Sequence, residues 1–344
     1  MKIALRIAGL LTGLAVLAAL TLAGVVFATA ATPARPLGIR QEMVTDANHP
    51  PIPVVLIYPT ASRPQLMLAG AGAIRLARGG VVAGEHLPVV VMSHGTGGSS
   101  LSHLDTALAL AEAGYLVALP QHAGDNFRDD TDVGTPRWIE GRARQVIRVN
   151  DFLLREWLGR SRLDSGRLGL FGFSAGGTTG LVVVGGRPDM GRVPTHCAKT
   201  PELVCKLIKP GPAAQGWAHD PRVKAAVVAA PGFGFAFDHP GLAAVSAPVQ
   251  LWIGDQDVTA PAAANADRVR DLLPTPPDYH RVPGAAHLSF LSPCGLAGLL
   301  LPPMLCADPK GFDRRAFHQT FNRQVVAFFN SRLGAAPSSA STAR

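Results

Sequence analysis

Ser174, Asp257 and His287 follow one another along the chain as a nucleophile, an acid and a base would. Ser174 sits in Gly172-Phe173-Ser174-Ala175-Gly176, which closes an apolar run beginning at Leu168 and opens a stretch of small residues. That is the form of a nucleophile elbow, a strand turning sharply into a helix with serine at the tip. The glycines have a steric reason: a nucleophile on a tight turn has a strained backbone, and a side chain at position 172 or 176 would collide across it. The helix after Ser174 would aim its free amides, beginning with Ala175 N–H, at the place where an oxyanion forms. Alone, such a motif in a chain with 37 glycines is also compatible with a softened strand end. Its partners decide.

Two further strand ends carry polar groups, and a third carries a glycine loop. Pro88 to Met92 is an unbroken apolar run that ends in Ser93-His94-Gly95-Thr96-Gly97-Gly98. Glycines there let backbone amides, Thr96 N–H among them, face a developing negative charge. Pro248 to Gly254 leads into Asp255-Gln256-Asp257, with either aspartate able to serve as the acid, and Tyr279 to Val282 leads into Pro-Gly-Ala-Ala-His287. In an open parallel sheet, sites form at the carboxyl ends of strands. The chemistry these residues suit is two-step acyl transfer. His287 takes the proton of Ser174, the alkoxide attacks an ester carbonyl, Asp257 steadies the imidazole, and an activated water releases the acid. No metal or organic cofactor is called for.

The elements that must position these groups alternate between strand and helix. Gly38 to Val44 and Pro53 to Tyr58 read as an antiparallel edge around the Asn48-His49-Pro50-Pro51 turn. Buried strands follow at Pro88–Met92, Tyr115–Leu119, Arg167–Phe173, Val223–Ala229 and Pro248–Gly254, with a short one at Tyr279–Val282. Helices are expected over Leu104–Ala113, Arg137–Leu158, Ser174–Val184, Ala260–Leu273 and Phe312–Phe329. The pattern predicts an α/β fold: one mostly parallel sheet with helices on both faces and an antiparallel N-terminal edge. We read one catalytic domain over 31–333, with a cystine-bearing insert at about 185–220 and a disordered tail over 334–344 rich in Ala, Ser and Pro.

Composition narrows the setting. The chain has 344 residues, 47% hydrophobic and 16% charged, which suits a globular core and not a disordered segment. Its formal charge of +8 includes Lys2 and Arg6, so removal of the first thirty residues leaves +6. The remaining arginines are scattered among acids, with no dense basic run interleaved with aromatics, so nucleic acid is not an expected partner. Residues 1–30 read as an export signal: two basic residues, then Ile7 to Val26 without a charge, then Ala28-Thr29-Ala30. The apolar run is about as long as a membrane span, so an N-terminal anchor, with peripheral membrane contact, is the alternative. Either way the folded part lies outside the cytosol, as a periplasmic or secreted protein. Four cysteines fit that compartment, and of their three connectivities two local bridges, Cys197–Cys205 and Cys294–Cys306, are simplest.

Over roughly Gly38 to Asn330 the chain resembles the α/β-hydrolase superfamily, and within it the bacterial predicted dienelactone hydrolases, which are similar to secreted platelet-activating-factor acetylhydrolases. The carriers are Ser93-His94-Gly95-Thr96-Gly97-Gly98, Gly114-Tyr115-Leu116-Val117-Ala118 with Pro120-Gln121-His122, Gly172-Phe173-Ser174-Ala175-Gly176-Gly177, Gly254-Asp255-Gln256-Asp257 and Ala286-His287-Leu288-Ser289-Phe290-Leu291. The resemblance implies a serine esterase and favours Asp257 over Asp255 by its spacing from Gly254. Two departures stand out. Dienelactone hydrolases carry a cysteine where this chain has Ser174. The acetylhydrolases take their acid from the strand after the elbow helix, which here ends in Ala229-Ala230-Pro231-Gly232, with no acid before Asp238. His94, His122, Leu288 and Phe290 are the pocket candidates. The roof is expected from Ala123–Trp138, Gly185–Asp220 and the apolar 296–305 segment, which suits a small-molecule or lipid ester. An acyltransferase or serine peptidase would use the same triad, and a non-catalytic binding module is the reading from another class.

Overall fold

The computed structural model describes residues 2–69, 72–200, 202–209, 216–295, 298 and 301–334. Of the tail expected over 334–344 only Gly334 is among them; residues 335–344, and positions 296, 297, 299 and 300 of the apolar segment, lie outside these residues.

The chain begins with α1 (Lys2–Ala28) and an antiparallel pair, β1 (Leu37–Val44) and β2 (Ile52–Pro59). A second hairpin follows, β3 (Gln65–Ala69) and β4 (Gly72–Arg78), and then β5 (Leu87–Ser93). Next come α2 (Leu104–Glu112), β6 (Leu116–Pro120), α3 (Arg137–Asp151), β7 (Leu163–Phe173) and α4 (Ala175–Val183). Between α4 and the next strand lies α5 (Val193–Lys199). The remainder is β8 (Val223–Ala229), α6 (His239–Leu242), β9 (Val249–Gly254), α7 (Ala266–Leu272), β10 (Asp278–Val282), α8 (Pro303–Cys306) and α9 (Arg314–Leu333).

Among the described residues ten strands form one sheet, in the order β10-β9-β8-β7-β5-β6-β2-β1-β4-β3. From β10 to β6 every pairing is parallel, while β6–β2, β2–β1 and β4–β3 are antiparallel. The architecture is the mostly parallel α/β sheet with an antiparallel N-terminal edge that the alternation implied. All seven residues of β5 are buried, because a central strand has a helix layer on each face. The two layers can be read at consecutive residues of β7. A Cβ at Gly169 would press on Phe329 of α9, and the Leu170 side chain meets Gly180 of α4. Successive side chains leave opposite faces of a strand, so α9 and α4 cover opposite sides. Helix α2 packs with α9, and α3 with α4.

Three segments depart from the expectation. The β3–β4 hairpin was not anticipated: Gln65–Ala69 is a half-exposed edge without a clean apolar alternation. The helix expected to reach Leu158 leaves α-geometry at Asp151 and continues as one wider turn over Phe152–Glu156. Trp157 ends it in extended backbone, because its ring swings into the core beside Tyr58 and its Nε1–H donates to Glu42. The helix expected from Ala260 starts only at Ala266, since Asn265 is held out of helical backbone where it abuts Gly234.

Of the described side chains of α1, Leu11, Leu14, Leu17 and Leu20 are exposed. The side chains of residues 2–8, 10, 22 and 26 are not described; among the described residues no helix is long and apolar enough to cross a membrane.

Candidate active site

The centre of the sheet builds the elbow. Ser93 at the end of β5 is level with Gly172 near the end of β7, so the two following loops emerge side by side. Ser174 then takes φ 57° and ψ −121°. A non-glycine residue at positive φ costs on the order of 1–3 kcal/mol and needs support. Its N–H donates to the Ala229 carbonyl at 2.9 Å, and its own carbonyl accepts from Gly177 N–H at 2.9 Å. The two glycines are required. A Cβ at Gly172 would lie 2.0 Å from the Gly176 carbonyl oxygen, and one at Gly176 would lie 2.0 Å from that of Ser93.

The structure brings the three sequence candidates together. Ser174 Oγ is 2.9 Å from His287 Nε2, and His287 Nδ1 is 2.7 Å from Asp257 Oδ2. A carboxylate only accepts, so Nδ1 carries the proton and Nε2 offers its lone pair to the serine hydroxyl. The other Asp257 oxygen accepts from the amides of Thr259 and Ala260 at 2.9 and 2.8 Å, which fixes the carboxylate plane. The Asp257 side chain is fully buried. Phe173 lies against the His287 ring, with centroids 4.9 Å apart. Asp255 points elsewhere and accepts from Gly284 N–H at 2.7 Å. Asp238 accepts from Gly241 N–H and pairs with Arg192, so neither competes for His287.

The turn bearing His287 is braced from behind. His318 on α9 reaches the Ser289 carbonyl at 2.9 Å and Asp105 at 2.7 Å, and His103 reaches the Phe290 carbonyl at 3.0 Å. Ser289 Oγ donates to Asp308, which Arg314 grips in turn. Burial works against ionisation of Asp105, but its hydrogen bonds and charge contact with His318, helped by Ser292 and Asn322, bring its pKa down to about 2. Burial lowers His103 to about 4, and the neighbouring Asp105 opposes this only in part.

Thr96 lies in the loop after β5, and Ala175 is the first residue of α4. Among the described residues neither amide has a protein acceptor. Both flank Ser174: a Cβ at Gly95 would sit 3.2 Å from that of Ser174. Beneath the loop lies a buried polar network that sequence reasoning did not find. Arg142 on α3 donates to Asp125 at 2.6 Å, to Thr179 at 3.2 Å, to Ser93 at 3.3 Å, and to the His94 carbonyl. Asp125 also accepts from Gly97 N–H at 2.8 Å and from Trp138 Nε1 at 2.6 Å. A signal was there: position 142 falls on the buried stripe of α3 with Trp138, Ile139, Val146 and Val149, where a charge needs a partner.

His94, His122 and Phe290 are not pocket walls as expected; they are buried supports. His94 is 2% exposed, and His122 and Phe290 are fully buried. Ser93 Oγ is 2.8 Å from His122 Nε2, Gln145 Oε1 is 3.0 Å from His122 Nδ1, and the His122 amide donates to His94 Nε2 at 3.2 Å. Gln145 only accepts at that oxygen, so His122 is the Nδ1–H tautomer and Ser93 donates to it. Burial, followed by the Arg142 charge, holds His94 down to about 3 and His122 well below the usual imidazole value. Phe290 instead fills the core between Phe173, Phe317 and Phe321. Leu288 is half-buried beside His287.

Two of the three segments expected to form a roof, 123–138 and 185–220, are tied to one another. Lys209 N–H donates to the Gly134 carbonyl at 2.9 Å, and buried Glu202 anchors the insert by contacts to His196 and Asn265. Both disulfides form as expected, Cys197–Cys205 and Cys294–Cys306.

The profile of the dienelactone hydrolase family matches residues 78–203, a span that holds the 94–98 loop and Ser174 but ends before Asp257 and His287. No curated protein matches the chain. Among solved structures, a ferulic acid esterase from Streptomyces cinnamoneus superposes with a TM-score of 0.65 at 20% identity, covering 90% of this chain and 95% of that one. A dienelactone hydrolase from Anabaena variabilis ATCC 29413 superposes with a TM-score of 0.51 at 18% identity, covering 87% of this chain and 100% of that one. With its sheet order, its serine elbow and these likenesses, the chain has the α/β-hydrolase fold and resembles the dienelactone hydrolases.

Proposed function

We propose that this protein is an exported serine hydrolase that cleaves carboxylic esters through an acyl-enzyme on Ser174. The observation that carries the reading is the unbroken contact from Asp257 through His287 to Ser174. His287 takes the serine proton as Oγ attacks the ester carbonyl, and Asp257 stabilises the imidazolium that forms. The amides of Thr96 and Ala175 receive the oxyanion, assisted by the positive end of α4. His287 then protonates the leaving alcohol, and a water deprotonated by the same ring releases the acid. The family resemblance and the ferulic acid esterase likeness point to the same reaction class.

Export is supported by the charge-free run after Lys2 and Arg6 and by two disulfides, which persist in oxidising compartments. Exposed apolar side chains stand on the segments that adjoin the site: Phe127, 60% exposed, donates its backbone N–H to the Gly98 carbonyl at 3.0 Å, and Val258, 84% exposed, follows Asp257 in the chain. They favour an apolar acyl or aromatic ester over a highly charged one.

A fluorophosphonate probe tests the reading. The mature protein should be labelled at Ser174, and Ser174→Ala should lose labelling and about 10⁶ in kcat on p-nitrophenyl esters. Labelling at another serine, or none in the unmutated protein, overturns the assignment.

A further inference from the structure

We propose that the buried Arg142–Asp125 pair positions the Thr96 peptide for oxyanion binding, a role that rests on the ester-hydrolase reading above. Both side chains are 1% exposed. They hold the loop after β5 at two points. Arg142 Nη2 donates to the carbonyl of His94, and Asp125 Oδ1 accepts from the amide of Gly97 at 2.8 Å. Only Gly95 and Thr96 lie between these anchors, and Gly97 takes φ 64° to turn the chain. Gly95 is the more permissive of the two, since it lacks a Cβ. With the carbonyl before it and the amide after Thr96 both fixed, the Thr96 N–H has few directions left.

The same pair registers the loop against the second amide donor. Arg142 Nε donates to Thr179 Oγ1, and that hydroxyl donates to the carbonyl of Ala175 in α4. One guanidinium therefore ties together the two backbone segments, 94–97 and 175–179, that carry the candidate oxyanion donors. Trp138 Nε1 completes the Asp125 shell at 2.6 Å.

Stability alone is a poor reason for such a pair. Replacing both partners of a buried ion pair by neutral groups is often harmless to folding, whereas losing one partner strands a charge. What apolar packing could not supply is direction. The planar guanidinium spreads its donors in a fixed fork, so it can orient several acceptors at once. A misplacement of about 1 Å in a catalytic constellation can cost about 10² in rate.

The test compares Arg142→Met/Asp125→Asn, which removes both charges, with Arg142→Lys and with Asn150→Ala. Asn150 lies buried on the same helix and binds Asp220 at 2.9 Å, so it reports what a purely structural lesion does. For each folded variant, p-nitrophenyl ester kinetics and the affinity of a boronic acid, which forms a tetrahedral adduct with a serine, are measured. The double variant should lose about 10² in kcat with KM within about threefold, and boronate affinity should fall in step with kcat. Arg142→Lys should recover part of the loss, because it keeps the charge but has a single donor nitrogen in place of the fork. Asn150→Ala should lower the melting temperature and leave kcat near wild type. A folded double variant with wild-type kcat overturns the proposal, as does a loss taken in KM or a kcat loss that Asn150→Ala reproduces. If the double variant does not fold, Arg142→Lys decides: unchanged kcat and boronate affinity overturn the role. Failure of the ester-hydrolase reading is distinguishable, because it would appear in the unmutated protein as absent labelling and turnover.

Discussion

A Cβ at Gly254 would stand 2.1 Å from the carbonyl oxygen of Ala285. The turn after β9 and the turn after β10 are thus in backbone contact, reinforced by Gln256 N–H donating to that same carbonyl at 3.0 Å. Their strands run parallel, with Gly254 level with Val282. This contact sets the two turns side by side, and across them Asp257 and His287, thirty positions apart in the chain, meet at 2.7 Å.

The acid can be assigned by comparing neighbours. Asp257→Asn should lower kcat by about 10⁴, the scale of the equivalent loss in a serine protease. Asp255→Asn should change it by no more than a few fold, because an amide oxygen can still accept from Gly284 N–H. Equal losses on p-nitrophenyl ester turnover would rule out Asp257 as the orienting acid.

Acid should unfold this protein early. His94 is held to about 3, His103 to about 4 and His122 well below 6.5, in each case chiefly by burial. With depressed folded-state values these rings stay neutral, while the unfolded chain takes up protons below about 6.5. Stability is therefore full above pH 6.5 and falls as the pH drops toward 4, by up to about 1.4 kcal/mol per pH unit for each proton. Asp105, lowered to about 2, adds a further loss below its ordinary 3.8. Urea melts at intervals from pH 7.5 to 4.5 measure this, and a flat profile over that range would contradict three buried neutral imidazoles.

The disulfides carry a prediction of their own. Non-reducing peptide mapping of the protein purified without reductant should recover Cys197–Cys205 and Cys294–Cys306, whose partners are separated by 8 and 12 residues. Loops of this length gain about 2–3 kcal/mol each in the chain-entropy model, so reductant should lower the melting temperature. Crossed pairs, or free thiols at all four positions, would count against both the bridges and the export argument.

Local pattern alone determined the features that depend on near neighbours. The apolar runs marked β5, β7, β8 and β9, because a strand covered on both faces has no polar side. Glycines at 172 and 176 marked the elbow, and cysteines close in sequence marked their own partners. The order of Ser174, Asp257 and His287 was legible for the same reason: each ends a recognisable strand. Tertiary structure decided what depends on the path between elements. The choice of Asp257 over Asp255 follows from which carboxylate the Gly254–Ala285 contact turns inward, a matter of two residues in one loop. His122 follows a strand end as read, yet its ring is fully buried and held by Ser93 and Gln145. Asp125 and Arg142 lie seventeen positions apart on a loop and a helix, and neither sits in a motif. Their meeting beneath the 94–98 loop is produced by the packing of α3 on the sheet, which local periodicity can orient but whose far contact it cannot name.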